Sequence, residues 1–422
     1  MKNKIGFAGD VELSEISILS GNGLIQNILP QVEGIELYED LFGYFISGKL
    51  IIKDAVSLKT FFPLVGDEFV RLDINTPSLP DEYKIKGEYF IYSCSEKKRI
   101  NDRVDGYVLS FISKEAIVDI NRRISKTFKG TPDSIISQIL DEIGTNKLIS
   151  LEPSPNSVAF ISNWWTPKRA IKYTLEHSTS ERGDPDLLFY EDRGGFKLRS
   201  LGQLVQNAPY QKFTISNYSR QLDTGINTYR DIHKDYQTIL NIEFHTGFDY
   251  FTRIKNGYYD GETISFDPTT QRYFHSSNIR EFEQDYHLNE FDPIAKKTPS
   301  TMDSYLKYIP QYYNAFEGFG DCSNYKTKVN RDTIISRLYD TTKLIIRVHG
   351  RTDYTVGQVV QIEIPKNTQI TETDDSIDYL TSGKYLISSI SHSINKQHHF
   401  CTIELLKDSY IKSVDESQAE KV

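Results

Sequence analysis

The sequence predicts an α+β, multidomain protein in which two homologous antiparallel β-barrel domains accompany an α/β middle domain and a long insertion. Three observations predict this class. Residues 49–111 and 343–405 carry the same landmarks in the same order, two helix-start signals lie between them, and an aromatic-rich stretch precedes the second copy. Two antiparallel β units around a mixed unit are typical of the α+β class.

The repeat consists of four landmarks. Lys-Leu-Ile-Ile at 49–52 recurs identically at 343–346, residues 65–74 recur as 356–364, residues 87–93 as 383–389, and residues 107–111 as 400–405. Four matches in the same order indicate a duplicated β unit. The matched glycines, Gly66 with Gly357 and Gly87 with Gly383, are interpreted as structural anchors at strand entries, where glycine permits tight turns.

The repeated unit has the pattern of a half-buried sheet. Apolar and polar residues alternate over 67–74 and over 358–364, which is the period of a strand with one wet face. Four such strands cannot bury their apolar face alone. A small barrel or sandwich is therefore expected for each copy.

The first β-barrel domain is predicted to span residues 1–118. Besides the repeat, it contains the predicted strands 12–19 and 43–47 around the turn Gly21-Asn22-Gly23. These strands would complete the sheet.

The α/β middle domain is predicted over residues 119–212. Thr131-Pro132 and Thr166-Pro167 each place an N-cap residue before a proline at the first helical position, and apolar residues at helical spacing follow both. The first helix is predicted to end at Gly144. Strands at 187–191 and 196–199 flank a Gly-Gly turn and predict a hairpin.

The second β-barrel domain is predicted from residues 213–243 plus 326–410, with a strand at 238–242 and a helix over 327–341. Residues 411–422 are polar and predict a flexible tail. The interruption at 244–325 holds 19 aromatic residues in 82 positions, about twice the 12% of the whole chain. That composition favours a segment that forms an interface with another protein chain. An irregular insertion packed on its own chain is the alternative.

Five tyrosines in this insertion are candidate interface residues. They are Tyr258, Tyr259, Tyr273, Tyr312 and Tyr313.

Composition excludes several classes. The net charge of −9 argues against a nucleic-acid grip by the whole surface, and no apolar run is long enough to span a bilayer. The start of the chain lacks a signal-peptide pattern, so production in a cytoplasm is expected. The three cysteines, Cys94, Cys322 and Cys401, are isolated, which favours buried thiols over a disulfide framework.

The search for chemistry yields no catalytic, metal or cofactor residues. His392, His398 and His399 lie on facing strands of a predicted hairpin, but adjacent residues on a strand point to opposite faces, so surface histidines are expected. The acidic pairs at 39–40, 141–142, 191–192 and 374–375 lie at turns or helix ends, where solvated carboxylates are ordinary. The sequence therefore predicts a protein that is not an enzyme.

The layout resembles the central baseplate hub of contractile-tail phages and the N-terminal half of type VI secretion spike proteins. The features that carry the resemblance are the duplicated β unit, the Thr131-Pro132 and Thr166-Pro167 helices, the hairpin at 189–195 and the insertion before the last strands. The resemblance covers roughly residues 10–410 and is weakest over 244–325. It implies that both β-barrel domains are tail-tube-like.

The resemblance implies a homotrimer whose six similar barrels form a ring. Such a hub joins the sixfold tail tube to the threefold central spike and leaves a channel through which DNA passes. The implied partners are a separate spike chain, a tail tube or tube-initiator protein, the tape measure protein and the baseplate wedges, with no membrane insertion. The implied location is the tail baseplate of the virion, after assembly in the host cytoplasm.

Other functions stay open from the sequence. The same hub could belong to a phage-derived contractile injection system. A baseplate-borne cell-wall hydrolase and a glycan-binding module using the aromatics of 244–325 are the alternatives from other classes, but neither explains why the β unit occurs twice.

Overall fold

A computed structural model describes residues 5–56, 58, 62, 64–95, 98–101, 103–215, 232–245, 247, 249–255, 258, 261–267, 271–276, 286–291, 305–310, 325–366 and 377–412. Tyr259, Tyr312, Tyr313, Cys322 and most of the predicted tail fall outside these ranges. Within them, no helix is long and apolar enough to cross a membrane.

Strands outnumber helices in the described part of the chain. In chain order they are β1 Glu12–Leu19, β2 Ile25–Asn27, β3 Val32–Asp40, β4 Ser47–Asp54, β5 Phe69–Asn75, β6 Ile85–Cys94, β7 Lys98–Asn101, β8 Val104–Ser113, β9 Ile124–Gly130, β10 Ile149–Leu151, β11 Val158–Trp165, β12 Leu187–Asp192, β13 Gly195–Ser200, β14 Gln211–Thr214, β15 Ile239–His245, β16 Gly261–Asp267, β17 Arg272–Ser276, β18 Tyr305–Pro310, β19 Thr342–His349, β20 Val359–Glu363, β21 Gly383–Asn395 and β22 His399–Lys407.

The helices occupy the middle of the chain and the approach to β19. They are α1 Lys114–Asn121, α2 Pro132–Ile143, α3 Pro167–Glu176, α4 Leu201–Val205, α5 Ile232–Gln237, α6 Tyr250–Lys255 and α7 Tyr325–Thr341.

One sheet of fourteen strands contains both copies of the repeat. Its main path runs β15-β19-β22-β21-β3-β4-β8-β6-β5-β1-β2, and β20 pairs with both β21 and β14. The order β19-β22-β21-β20 in the second copy therefore matches β4-β8-β6-β5 in the first. The duplication predicted from the sequence is present in the strand order.

Bulges fix the register of the two copies. The pairing of β3 with β4 shifts between Val32 and Gly34, and that of β15 with β19 shifts between Ile239 and Asn241. A second matching pair of bulges lies where β6 meets β8 and where β21 meets β22. Equivalent strands thus carry equivalent bulges, which are devices that set strand twist and register.

The identical Lys-Leu-Ile-Ile strings are not equivalent in the sheet. Gly48 of β4 lies opposite Phe111, and Leu344 of β19 lies opposite Leu405. When the two copies are aligned by their matching bulges, Leu405 is equivalent to Phe111. Leu344 therefore corresponds to Gly48 rather than to Leu50. The strings share strand and face, but they differ by two residues in register.

The middle of the chain confirms the predicted mixed segment. α2 begins at Pro132 and ends before Gly144, whose φ is +72°, and the Thr166 hydroxyl accepts a hydrogen bond from Arg169 N at the start of α3. β12 and β13 form the predicted hairpin, and β9 pairs with β11. Ile135, Ile136 and Ile139 of α2 are buried in the core of this segment, as their spacing predicts.

Three hydrophobic clusters form the core. One lies under β1–β8, one under the middle α/β segment, and one under β19–β22 with α7. Among the described residues, side chains cross between the sheet halves in both directions: Leu41 and the partly buried Phe42, after β3, pack with the cluster of the second copy, and Ile394 of β21 belongs to the cluster of the first. The predicted domain boundaries remain a prediction.

A buried ionic contact attaches the middle segment to the first copy. Lys147 Nζ lies 2.7 Å from Glu115 Oε2 and 2.5 Å from Glu191 Oε1, and both carboxylates are buried. The second oxygen of Glu191 accepts hydrogen bonds from Ile46 N and the Ser113 hydroxyl. Removing one member would leave buried charge without a partner, so the contact fixes the docking geometry.

The α+β class is confirmed, with a correction to the strands. The described strands form open sheets, and an isolated parallel bridge between Thr214, at the end of β14, and Thr238, just before β15, brings the two ends of the second copy together. The two closed barrels remain a prediction. The predicted strand at 43–47 is wrong, since β4 begins at Ser47 and β3, at Val32–Asp40, supplies the neighbouring strand.

Gly48 should tolerate no side chain. A Cβ at this position would lie 2.3 Å from Phe111 Cζ and 2.4 Å from the Glu36 carbonyl oxygen. We expect Gly48→Ala to lower the free energy of unfolding by about 2–3 kcal/mol, since an overfilled core must shift backbone. Chemical denaturation measures it. Gly6→Ala, whose Cβ would make an ordinary 3.4 Å contact, is the control, and equal stability of both variants would contradict this packing.

Candidate functional site

The two copies of the repeat are joined by direct strand pairing. β21 pairs antiparallel with β3 from Ser389 opposite Asp40 to Asn395 opposite Gly34. The first part of β21 instead pairs with β20, between Gly383 and Leu386. One edge of β21 therefore pairs first with β20 of its own copy and then, further along, with β3 of the other copy.

Glu39 forms a second link at this junction. It is buried on β3, and its Oε2 accepts hydrogen bonds from the Thr355 hydroxyl at 2.6 Å and from Val356 N at 3.4 Å, both in the second copy. Burial, with the nearby Asp192 carboxylate, raises the pKa of Glu39 from 4.5 to about 7, against the lowering effect of these hydrogen bonds. Glu39 is thus a junction residue with a titration near neutral pH.

Several strand edges of the large sheet pair with no described strand, and two of them, on β15 and β6, are equivalent to the edges that form the internal junction. β15 ends the path and pairs with β19 within the described ranges, while Thr238, just before it, forms an isolated parallel bridge with Thr214. The β5 side of β6 is paired from Ile85 to Phe90, and Ile91 N still donates to the Glu68 carbonyl; beyond that, residues 92–94 are exposed. Open edges of this kind readily add a strand from another chain.

The four repeat glycines lie at turns and close contacts inside the chain. Gly66, Gly357 and Gly383 have φ values of +105°, +80° and +130°, which favour glycine, whereas Gly87 has no such φ. Gly66 and Gly357 lie in equivalent loops, before β5 and before β20. Relative to the aligned residues of these two strands, their positions differ by one residue. A scaffold role for them remains a prediction.

The candidate interface tyrosines separate into different environments. Tyr258 is buried against its own chain, where its hydroxyl lies 2.7 Å from the Thr341 hydroxyl at the end of α7. Tyr273, on the small β16–β18 sheet, is 65% exposed. Tyr286, from the same insertion, is buried and donates to Asp186 Oδ2. An interface role among the described candidates therefore rests on Tyr273.

The acidic side chains that could take part in catalysis form hydrogen bonds or ion pairs within the fold. Glu39 bonds across the junction, and Glu191 bonds Lys147 and Ser113. Glu142 pairs with Arg122 at 2.9 Å and with Lys126 at 3.1 Å on the surface of the middle segment. Each acidic group is held by a partner that stabilises the fold, which favours a structural role over hydrolysis.

The histidines of the β21–β22 hairpin were predicted on the surface, and two of them are not. His392 and His399 are buried, together with Cys401, whereas His398 is exposed. The sequence did contain a signal, since His399 and Cys401 are two residues apart on one strand and share a face. That His392 lies opposite Cys401 depends on the hairpin register.

Three solved structures resemble the chain over almost its whole length. A tail protein from Neisseria meningitidis MC58 has a TM-score of 0.56 at 12% identity, covering 93% of this chain and 96% of that one. The 43 kDa tail protein of prophage MuSo2 from Shewanella oneidensis has a TM-score of 0.54 at 11% identity, covering 94% and 99%. The chain has the fold of these tail proteins. A prophage tail protein from Listeria monocytogenes EGD-e adds a TM-score of 0.50 at 9% identity, covering 96% and 98%.

The sequence-based resemblance to phage tail proteins is thereby confirmed for the fold. No protein-family model and no curated protein matches the sequence. The tail-protein fold extends over both copies of the repeat and the middle segment, since more than nine-tenths of the chain is covered.

Glu39 should make stability pH-dependent. Its pKa is raised in the folded state, so the unfolded chain ionises first, and stability falls as the pH rises from about 4.5 to about 7. The loss is at most about 3 kcal/mol for a shift of this size. Glu39→Gln should remove that part of the pH dependence in urea unfolding curves. Glu33→Gln, an exposed position on β3, should retain it, and identical profiles for Glu39→Gln and wild type would contradict the shift.

Proposed function

We propose that this protein is the hub of a contractile phage tail: a homotrimer whose six similar β units form a ring between the sixfold tail tube and the threefold central spike. The observation that carries the proposal is the junction between β21 and β3. It joins two equivalent units edge to edge, and among the described strands the counterparts of its two edges, β15 and β6 beyond Ile91, each keep one edge without a partner strand.

The internal junction supplies a template for the contact between chains. The bulges match β3 to β15 and β21 to β6, so the partner that β3 finds in β21 has its counterpart in the open end of β6. β15 of one chain would therefore pair antiparallel with β6 beyond Ile91 of its neighbour. Such strand addition satisfies the backbone groups of both edges.

Closure follows from repeating this contact. Each chain supplies one internal junction and one junction to its neighbour, so three chains give six junctions of one type in a closed ring. A contact between two different surfaces of a subunit closes into a ring when the rotation between neighbours is a simple fraction of a turn, here one third. Six units match a sixfold tube, and three chains match a threefold spike.

The ring would leave a central channel for DNA. The acidic net charge of −9 favours a bore that a polyanion passes without being held, since like charges repel. The proposed partners are a tail tube or tube-initiator protein on one face, a spike protein on the other, and the tape measure protein and baseplate wedges nearby. The proposed place is the virion tail baseplate, after assembly in the host cytoplasm. A phage-derived injection system would use the same hub.

A disulfide should trap the proposed contact. Ser391 lies opposite Tyr38 in the internal junction, and the matched positions are Ser95 and His245. In a Cys94→Ser background, Ser95→Cys combined with His245→Cys should give covalent trimers on oxidation, because paired strand positions lie within disulfide reach. A non-reducing gel measures the product. Ser95→Cys with Leu240→Cys is the control, since Leu240 lies roughly 17 Å further along β15.

The mass in solution tests whether the protein forms a trimer, independently of whether β6 and β15 form the contact. Light scattering should give three times the 48.6 kDa of one chain. A trimeric mass without cross-linking would reject the β6–β15 contact and leave the trimer in place. A monomeric mass at micromolar concentration would contradict the trimer itself.

A further inference from the structure

Three potential metal-binding side chains converge inside the β21–β22 hairpin. His392 of β21 lies directly opposite Cys401 of β22, and His399 is two residues before Cys401 on the same face. All three are buried, at 0% exposure. The donor atoms come from two hydrogen-bonded strands, so their positions are set by the sheet rather than by a loop.

The separations of the three donor atoms are close to those of zinc ligands. His392 Nδ1 lies 2.9 Å from His399 Nε2, and Cys401 Sγ lies 3.3 Å from His392 Nδ1 and 3.5 Å from His399 Nε2. A tetrahedral zinc ion would place its nitrogen ligands roughly 3.3 Å apart and a nitrogen and a sulfur roughly 3.6 Å apart. The triangle needs an expansion of only a few tenths of an ångström.

Hydrogen bonding alone leaves this cluster incomplete. A proton shared between His392 Nδ1 and His399 Nε2 occupies both atoms, so neither is left to accept from the Cys401 thiol. The outer nitrogens, His392 Nε2 and His399 Nδ1, have no hydrogen-bond partner among the described residues. A metal ion would use all three converging lone pairs at once.

The surroundings leave room for the imidazole that the site needs. A Cβ on Gly350 would lie 2.3 Å from His399 Cδ2 and 2.6 Å from its Nε2, so the absence of a side chain at Gly350 admits the ring. The first copy of the repeat carries Asp105 and Tyr107 where the second carries His399 and Cys401, as the pairing with β6 and β21 aligns them. The cluster is therefore not a packing requirement of the β unit.

We propose that His392 Nδ1, His399 Nε2 and Cys401 Sγ bind one thiophilic transition-metal ion, zinc, in each chain. Thiolate and imidazole together select zinc or copper over magnesium and calcium. The Cys401 S–H bond breaks on binding, the sulfur forms the metal bond, and the proton leaves to solvent. A water molecule would complete the tetrahedron.

The charges around the site suit a cation. A zinc ion with one thiolate keeps one positive charge, and the carboxylates of Glu39 and Asp353 both act on Cys401. The Arg193 guanidinium acts on His392 in the opposite direction. Without metal, burial lowers the pKa of His392 to about 3, so its imidazole is neutral and can bind an ion directly. Burial raises the pKa of the Cys401 thiol, so metal binding must displace its proton and should strengthen as the pH rises.

The site would strengthen the junction between the two copies. His392 also lies opposite Leu37 of β3, so a bound ion would fix the part of β21 that carries the first copy. Metal removal should therefore loosen residues 34–40, which hydrogen exchange of the backbone amides reports. The metal site does not depend on the hub role, since all three ligands belong to one chain.

Metal analysis of the purified protein tests the site. The full chain, prepared without a metal-affinity tag, is incubated with zinc and dialysed, and we expect one metal ion per chain by mass spectrometry. Cys401→Ser and His399→Ala should lose at least nine-tenths of it. Cys94→Ser and His398→Ala, which alter an exposed thiol and an exposed histidine, should keep it. Copper in place of zinc would support the same site.

Cobalt substitution keeps the proposal testable if the variants fail to fold. Wild type and Cys94→Ser should both develop a thiolate-to-cobalt charge-transfer band with Co²⁺, because Cys401 supplies the sulfur. Less than one-tenth of an equivalent of any transition metal in wild type, with no cobalt band, would overturn the site. Equal metal content in Cys401→Ser and wild type would also overturn it.

Discussion

The pairing of β21 with β3 is the interaction on which the rest of the structure depends. It turns two copies of a β unit into one sheet, and side chains then cross the seam in both directions: Leu41 enters the core of the second copy and Ile394 the core of the first. Each copy keeps its own core cluster, and the backbone hydrogen bonds of this strand pair fix the orientation of one copy relative to the other.

Buried polar groups further restrict how the two copies and the middle segment are oriented. Glu39 bonds the Thr355 loop of the second copy, and Glu191 bonds Ile46 and Ser113 of the first copy while Lys147 neutralises it. Buried charges tolerate few arrangements, because a misplaced partner leaves a desolvated group unpaired. Such groups therefore suit the alignment of the two copies and the middle segment more than net stability.

The repeat was predictable from the sequence, but its register was not. The matching Lys-Leu-Ile-Ile strings differ by two residues in the sheet, a shift that keeps the same face and leaves the hydrophobic pattern unchanged. β3 escaped prediction for a related reason. The bulge at Gly34 breaks the alternation between Val32 and Ile35, and the buried position 39 holds a glutamate. Local pattern cannot signal a strand whose phase slips and whose core position is charged.

Sequence by itself determined the elements with a strong local signal: helix starts at Thr131-Pro132 and Thr166-Pro167, the 187–200 hairpin, and a β unit present twice. These follow from local capping and turn chemistry and from short-range periodicity. Tertiary structure alone decided that the two units share a sheet, that β21 changes its partner from β20 to β3, and that His392 meets Cys401. Such facts depend on which strands pair and in what register, and that is set by burial across the whole sheet rather than by neighbours in the chain.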